Sequence, residues 1–297
     1  MKITIMETPS RDSLAPISNT VKIGDFPVAG VPVKEALLSR ISQKNGTSGN
    51  AEIKVRDDFW PSDTLLETII GAGTNVRVMS ENSEVLLSYS RGNRSANWKG
   101  ISPDAASILI RHPWDLLKIN ETLIAEIKED LIEGKIRSGA NIDGHIRLGK
   151  GSVLLPGTYI EGNVIIGKNC KIGPNCYIRG NTSIGDGCHI GQAVEIKNSV
   201  IMEKVSVGHL SYIGDSVICR NTNLGAGTIT ANLRHDGKNQ KSFVGNDLVD
   251  TGRRKLGVII GEDVHTGIHT SIYPGRKIWP GMSTRPGEIV SKDIVPS

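Results

Sequence analysis

Two basic residues, Arg179 and Lys197, occupy positions at which the surrounding stretch usually has Gly or an acidic residue. They lie 18 residues apart, which is one full turn of the repeat described below, so we expect them to stack. Stacked cations repel each other unless an anion lies between them. A phosphate suits such a pair, because Arg offers a fork of donors and Lys a point charge. The spacing therefore favours a phosphate site, and the alternative is two solvated surface cations.

The segments VGHLSYIGD and NLGAGTITANLRHDGKNQK follow this pair and contain more residues suited to chemistry. A neutral imidazole such as that of His209 can take a proton from an amine, although a lone His is more often structural. The amide of Asn232 can donate to a carbonyl oxygen that gains charge during acyl transfer. Tyr212, Lys238 and Lys241 lie close by in the sequence. The clustering of these residues after the Arg179–Lys197 pair predicts a ligand site.

A six-residue repeat must position these side chains. Ten consecutive positions at this interval carry Ile or Leu, and the residue four positions after each is small or β-branched. A period of six fits neither an α-helix nor an alternating hairpin. It predicts a parallel β-helix in which three hexads form one triangular coil with the aliphatic residues inside. The predicted inward positions are Ile142, Leu148, Leu154, Ile160, Ile166, Ile172, Ile178, Ile184, Ile190 and Ile196.

The repeat is interrupted further along the chain. The spacing falls to five between Ile196 and Ile201 and again between Ile213 and Ile218, and we expect a distortion there. Residues 230–257 break the pattern and predict a loop that leaves the prism, after which the repeat resumes near Ile260. Three of the four Cys residues fall on the small inward positions, which indicates packing.

The remaining sequence predicts a mainly β protein with three regions. We expect a small α/β region over residues 1–105, a helical connector over 106–135 and the β-helix over 136–297. The connector has helical spacing over residues 113–134, with Asn120 as a candidate N-cap and Gly134 as the end of the helix. The net charge of +4 is mild and no Lys/Arg run indicates nucleic-acid binding. We also expect no membrane partner and a cytoplasmic location.

The motifs HLSYIGD and NLGAGTITAN resemble the acetyltransferase half of the bifunctional N-acetylglucosamine-1-phosphate uridylyltransferase/glucosamine-1-phosphate N-acetyltransferase family. ANLRHDGK resembles its archaeal-type members in particular, and the resemblance covers roughly residues 136–292. It implies a left-handed β-helix, a homotrimer with sites between subunits, acetyl-CoA as co-substrate and no metal. It also implies His209 as general base, Arg179, Lys197 and Tyr212 as sugar-phosphate ligands, Asn223 and Asn232 near the sugar and its amine, Ala226 near acetyl-CoA, and Lys238 and Lys241 from an adjacent subunit.

The N-terminal region departs from that family. Its nucleotidylyltransferases carry a Gly-rich LAAGxGTRxxP loop, whereas this chain has IMETPSRDSLAP at the corresponding place. Without those glycines the backbone cannot approach a nucleotide phosphate closely. The region is also less than half the length of a full nucleotidylyltransferase domain, so we interpret it as shortened and inactive.

These observations predict an acetyl-CoA-dependent N-acetyltransferase that acts on glucosamine-1-phosphate or galactosamine-1-phosphate by direct attack of the amine on the thioester. One alternative is a non-catalytic sugar-nucleotide binding or scaffold protein, and another is a nucleotidylyltransferase with residual activity. A third is a metal enzyme of the carbonic-anhydrase kind, which would need His residues such as His189, His209, His265 and His269 as ligands between subunits.

Overall fold

The computed structural model describes residues 1–9, 11–44, 50–92 and 97–296. The chain divides into two compact units. The first takes in most of residues 1–111, and the second takes in residues from 112 onward together with Arg11–Val21 and Pro27–Gly30. Within the described ranges, no helix has the length and apolar character needed to cross a bilayer.

The first unit contains a mixed sheet with helices beside its core strands. The sheet order is β1 (Lys2–Met6), β4 (Glu52–Arg56), β7 (Val85–Ser90), β6 (Asn75–Met79) and β8 (Trp98–Ile101). The β1–β4 and β6–β8 pairs are parallel and the two inner pairs are antiparallel. Helices are α1 (Val33–Gln43) and α2 (Asp63–Gly71), and the short strands β5 (Phe59–Trp60) and β9 (Ile108–Leu109) pair with each other. The first unit also contains β3 (Val31–Pro32) and the 3-10 turn Ile23–Asp25, whereas β2 (Pro27–Val28) and the 3-10 turns Asp12–Leu14 and Ile17–Asn19 belong to the second unit.

The segment after β1 is held by side-chain contacts within the first unit. The backbone N–H and the hydroxyl of Thr8 both donate to Asp57 Oδ1, at 3.0 and 2.5 Å. Asp57 is 3% exposed, and burial raises the pKa of its carboxyl. The segment that contains Thr8 therefore binds a carboxylate of the protein itself.

Helix α3 (Pro113–Ala125) is shorter than predicted, and the expectations for its ends were wrong. His112 is the N-cap, and Pro113 stands at the first helical position, where its missing N–H costs no helical hydrogen bond. Asn120 lies inside the helix and is fully buried. Its side chain accepts from Ala29 N and Ser183 Oγ and donates to Asn181 O, so it bonds to neighbouring segments of the second unit.

The second unit winds into a parallel β-helix with three faces, as predicted. The first face consists of β10 (Leu131–Ile132), β13 (Ile146–Leu148), β16 (Val164–Ile166), β19 (Thr182–Ile184), β22 (Val200–Ile201), β25 (Val217–Ile218), β30 (Ile259–Ile260) and β32 (Lys277–Ile278). The second face consists of β11 (Lys135–Ile136), β14 (Val153–Leu154), β17 (Lys171–Ile172), β20 (His189–Gln192), β23 (Ser206–His209) and β26 (Asn223–Leu224). The third face consists of β12 (Asn141–Asp143), β15 (Tyr159–Glu161), β18 (Tyr177–Arg179), β21 (Glu195–Lys197), β24 (Tyr212–Gly214), β27 (Ile229–Thr230), β31 (Ser271–Ile272) and β33 (Ile289–Val290).

The core of the prism confirms the predicted inward positions. Every inward aliphatic residue from Leu148 to Ile196 is at most 1% exposed, and Ile142 is half-buried at the open end. The small inward positions are equally buried, including the thiols of Cys170, Cys176 and Cys188. The sequence repeat thus forms one continuous apolar column.

The corners of the prism absorb the two five-residue spacings without disturbing the strands. Ser183 pairs with Val200 while Arg179 pairs with Lys197, so the later coil is one residue shorter between the third and first faces. The predicted distortion is therefore confined to a tighter corner. Asn198 and Asp215 hold positive φ angles of 48° and 51° at this corner. Asn and Asp tolerate this conformation better than most residues.

The predicted loop over residues 230–257 leaves the prism after β27. It contains the antiparallel hairpin of β28 (Lys241–Val244) and β29 (Asp247–Asp250). Its buried side chains anchor it, because Ser242 Oγ donates to Gly275 O at 2.8 Å and Thr251 Oγ1 donates to Gln240 O at 2.8 Å. The chain then rejoins the first face at β30.

Lys277, on the last strand of the first face, is a charged residue within the apolar region, at 1% exposure. Its ammonium nitrogen lies 5.7 Å from the centre of the Trp114 ring. Burial lowers the pKa of Lys277 to about 8, against an opposing effect of Asp293.

Replacing Ile196 with Ala should lower the free energy of unfolding by about 2–5 kcal/mol, because a fully buried side chain leaves a cavity that neighbours fill only in part. The matched control is Ile289→Ala, since Ile289 is 65% exposed. Urea unfolding followed by circular dichroism measures both changes. Equal midpoints for the two variants would contradict the inward assignment.

Replacing Lys277 with Met should stabilise the protein at pH 7 and flatten its alkaline stability profile. The unfolded chain holds the Lys proton up to its ordinary pKa of 10.5, whereas the folded chain releases it near 8. The native protein therefore gains stability as the pH rises from about 8 to 10.5, and carries the full burial penalty below pH 8. Denaturant midpoints at pH 7, 8.5 and 10 test this. If the stability of the wild type and of Lys277→Met changed in parallel with pH, the lowered pKa of Lys277 would not be the cause.

Candidate functional site

The predicted cation pair lies at the corner between the third and first faces. Arg179 and Lys197 are direct strand partners in adjacent coils, so their side chains leave the sheet on the same side. Glu161 occupies the same ladder one coil earlier, and Gly214 occupies it one coil later. This ladder, together with the residues bonded to it, is called the cation corner below.

Each cation at the cation corner already has a carboxylate partner. Arg179 Nε and Nη2 contact Glu195 Oε1 at 2.9 and 2.8 Å. Lys197 Nζ donates to both oxygens of Asp215, at 2.8 and 3.0 Å. The protein thus supplies its own anions, Glu195 and Asp215, and the spacing of the two cations did not predict them. Phosphate binding by the two cations stays a prediction.

Asp215 is the central hydrogen-bond acceptor of the cation corner, and it is only 2% exposed as a whole residue. Besides Lys197, it accepts from Asn198 Nδ2 at 2.9 Å and from Asn232 Nδ2 at 2.6 Å. A buried carboxylate is tolerated when its lone pairs are satisfied in this way. Asp215 therefore fixes the positions of three neighbouring side chains.

Gly214 makes room for the phenol of Tyr212 above Lys197. A Cβ atom at Gly214 would come within 2.4 Å of the Tyr212 hydroxyl and 2.7 Å of Asn232 Nδ2. Asn232 Nδ2 donates to the Tyr212 hydroxyl at 2.9 Å. Burial and the nearby charge of Asp215 raise the pKa of Tyr212, so its phenol stays protonated.

The amide hydrogens of Asn232 are both engaged in these contacts with Asp215 and Tyr212. The predicted donation from Asn232 to an oxyanion would therefore require breaking one of them. Its side-chain oxygen is the atom that remains available to a ligand.

Helix α3 and the long loop also reach the cation corner. Asn198 Nδ2 donates to Glu121 Oε1 at 2.6 Å. Glu121 also forms a short ion pair with the guanidinium of Arg253. One hydrogen-bonded chain thus runs from Lys197 through Asp215, Asn198 and Glu121 to the loop.

His209 lies at the corner between the second and third faces, at the other end of the third face from the cations. It is exposed, and its backbone carbonyl accepts from Gly227 N and Ser211 Oγ. Leu210 follows it with a φ of 51° and 62% exposure. His189 lies one coil below, where burial and the charges of Lys171 and His209 lower its pKa. A single chain therefore does not place His209 with the cation corner.

The other predicted ligands lie in two further places. Asn223 is exposed on the second face, and the carbonyl of Ala226 accepts from His269 N at 2.7 Å near the His209 corner. Lys238 and Lys241 line a pocket of about 460 Å³ in the long loop, together with Arg234, Asn239 and Asp250.

No group of His, Cys, Asp and Glu side chains in the described part of the chain is arranged to hold a metal ion. Four His residues were candidate metal ligands. Among them, the described part of the chain shows an interaction only between His189 and His209, where the charge of His209 lowers the pKa of His189.

Sequence reasoning assigned no role to Asp215, Asn198 or Glu121. Asp215 closes the quoted HLSYIGD motif, and its place 18 residues after Lys197 was a usable signal. Glu121 is 77 residues from Asn198 and 132 from Arg253, so no local pattern could connect it to them.

Comparison with known proteins finds one matching family model and several similar proteins. The model of the GMPPB C-terminal domain family matches residues 160–280. The bifunctional sugar-1-phosphate nucleotidylyltransferase/acetyltransferase of Sulfurisphaera tokodaii is 42% identical over 185 residues, covering 62% of this chain and 46% of that protein. The bifunctional protein GlmU of Methanococcus maripaludis strain C7 is 46% identical over 219 residues, covering 73% and 53%. That of Methanocaldococcus jannaschii is 39% identical over 200 residues, covering 66% and 48%.

The resemblance predicted from the two motifs is thereby confirmed. The chain spans about half the length of the relatives it matches.

Replacing Asp215 with Asn should lower the free energy of unfolding by about 3–5 kcal/mol, because Lys197 is left without a counter-charge in a buried place. Asn also tolerates the positive φ, so the change isolates the charge. Glu195→Gln is the matched control: its ion pair with Arg179 is about one-third exposed and should contribute less than about 1 kcal/mol. Similar urea midpoints for the two variants would argue against Asp215 as the central acceptor.

Proposed function

We propose that this chain is an acetyl-CoA-dependent N-acetyltransferase whose acceptor is an amino-sugar 1-phosphate, with glucosamine-1-phosphate first and galactosamine-1-phosphate second. The observation that carries the proposal is the stacking of Arg179 on Lys197 beside the bonded pair of Tyr212 and Asn232. The similarity to bifunctional sugar-phosphate nucleotidylyltransferase/acetyltransferases supports it.

The two cations differ in how readily they exchange partners. Glu195 and Arg179 have side chains 31% and 33% exposed, so a phosphate can replace this carboxylate at little cost. The side chain of Asp215 is only 3% exposed, and it holds Lys197 firmly through two hydrogen bonds. We therefore assign Arg179 as the residue that turns to the phosphate, while Lys197 contributes from a fixed position.

The pocket is completed between subunits in this proposal. His209 and the cation corner lie at opposite ends of one face, so an amino sugar bound at one end needs its base from another chain. Three prisms side by side in a homotrimer would bring the His209 corner of one protomer to the cation corner of its neighbour. Lys238 and Lys241 would likewise reach over from the adjacent subunit.

In the proposed reaction the free amine attacks the thioester carbon of acetyl-CoA directly. The carbon–nitrogen bond forms as the imidazole of His209 takes one amine proton. The side-chain amide hydrogens of Asn232 already bind Tyr212 and Asp215. We therefore assign the stabilisation of the oxyanion to a backbone amide. Collapse breaks the carbon–sulfur bond, and the leaving thiolate takes the proton from His209. The chain needs no covalent acyl-enzyme, and its Cys residues are buried in the prism.

We assign residues 1–105 as a shortened nucleotidylyltransferase-like region, 106–135 as a connector and 136–297 as the acetyltransferase region. The contacts of Thr8 with Asp57 support an inactive first region. Thr8 lies in the stretch that replaces the Gly-rich loop, and its N–H and hydroxyl bind a protein carboxylate, so these donors are not free to bind a nucleotide phosphate. Among the residues that the structure describes, no specific contact favours a scaffold or a residual nucleotidylyltransferase.

Replacing His209 with Ala should reduce acetyl transfer to the sugar phosphate by about 10²–10⁴-fold, since the amine loses its proton acceptor. The matched control is His189→Ala, which removes the imidazole one coil below and should retain activity. Release of the CoA thiol is measured with glucosamine-1-phosphate and galactosamine-1-phosphate. Wild-type turnover in His209→Ala would remove this residue from the mechanism, and no turnover of either sugar by the wild type would refute the proposed acceptor class.

A further inference from the structure

A second basic surface lies within the second unit, beside helix α3. It is a cleft of about 790 Å³ between α3 and the loop segment 251–255. Its lining includes Lys118, Glu121, Leu233, Arg253, Arg254 and Lys255. This surface is called the α3 cleft below.

The basic loop that borders the α3 cleft is held in one conformation. Thr251 N and Oγ1 both donate to Gln240 O, and Gln240 N donates to Arg253 O at 2.8 Å. Lys255 forms an antiparallel bridge with Leu233 on the other side. The segment is therefore arranged before any ligand binds, which lowers the entropic cost of binding.

The basic residues of this loop divide into one structural cation and two available ones. Arg253 is committed to Glu121 through both terminal nitrogens. Arg254 and Lys255 are exposed, and neither pairs with a carboxylate among the residues that the structure describes. The ion pair of Arg253 anchors the loop, and its two neighbours face the cleft.

Lys118 adds a third available cation from the opposite wall of the cleft. It is exposed on α3 and has no carboxylate partner in the described ranges. The carboxylates in the lining are both occupied: Asp115 accepts from His112 N at 2.8 Å, and Glu121 binds Arg253. Three unpaired cations around one concavity create a positive potential that favours a polyanion.

The size and apolar lining of the α3 cleft select among anions. Its volume lies in the usual range for sites of whole small molecules and far exceeds that of one phosphate ion. Leu233 is 45% exposed at its edge, which offers apolar surface to a sugar or base. Cations on two walls with an apolar edge fit a nucleotide whose phosphates lie between Lys118 and the loop.

We propose that the α3 cleft binds the diphosphate of a nucleotide through Lys118, Arg254 and Lys255. This binding does not depend on acetyl transfer, because none of the three cations belongs to the cation corner or to the His209 corner. Three sources share the chemistry: a free nucleoside diphosphate, the nucleotide part of CoA and a nucleotide-linked sugar.

The test is isothermal titration calorimetry on the full chain with ADP, UDP, CoA and UDP-N-acetylglucosamine, and with uridine as a probe without phosphate. The Arg254→Ala/Lys255→Ala variant should weaken binding of the diphosphates at least roughly tenfold, because two charge-assisted contacts are lost. The matched control is Lys150→Ala/Lys168→Ala, which removes two exposed cations stacked on another corner and should bind like wild type. The charge-preserving variant Arg254→Lys/Lys255→Arg should retain most of the affinity.

The pattern across probes identifies the source of the diphosphate. Comparable binding of ADP and UDP supports a free nucleotide, whereas preferential binding of CoA or of the UDP-sugar supports those sources, provided that the double variant weakens it. The proposal is overturned if no nucleotide binds to the wild type, if the double variant binds as tightly as wild type, or if uridine binds as well as UDP. His209→Ala should keep the affinity, so loss of catalysis and loss of this site are separable.

Discussion

The structure of the second unit depends on the stacking of each coil directly on the one before it. Backbone hydrogen bonds between coils join parallel strands on all three faces, and the inward aliphatic residues meet in a single column. Because side chains repeat with the coil, any residue type placed once per turn forms a ladder along the prism. The cation corner is one such ladder, in which Glu161, Arg179, Lys197 and Gly214 follow each other at the end of the third face.

This stacking brings the like charges of Arg179 and Lys197 together. Carboxylates at the cation corner neutralise them. Asp215 stands at a tight corner in the left-handed conformation and accepts from Lys197, Asn198 and Asn232. A carboxylate so deeply buried is tolerated only with several donors around it. The same bonds fix Tyr212 over Gly214, so the stability of the corner and the shape of the proposed sugar site have one origin.

Helix α3 connects this corner to the α3 cleft through Glu121. One of its oxygens accepts from Asn198, and the carboxylate also holds Arg253 in the basic loop. An occupant of the cleft and an occupant of the cation corner would therefore act on opposite ends of one hydrogen-bonded chain. In the proposed mechanism, the placement of His209 at the far end of the third face implies that a second chain completes the site.

The periodic part of the fold could be predicted from the residues alone, because a six-residue period of aliphatic residues fits neither an α-helix nor an alternating hairpin. That repeat also predicted the register of Arg179 on Lys197 and the departure of the chain after Thr230. The role of Asn120 as a buried bridge and the Glu121 link could not be predicted, because their partners lie 60 or more residues away in the chain. Charge neutralisation at the corner and the separation of His209 from it depend equally on three-dimensional packing. Spacing indicates which ladder a residue joins, whereas its hydrogen-bond partners are set by segments that meet only when the prism, the helix and the loop have folded together.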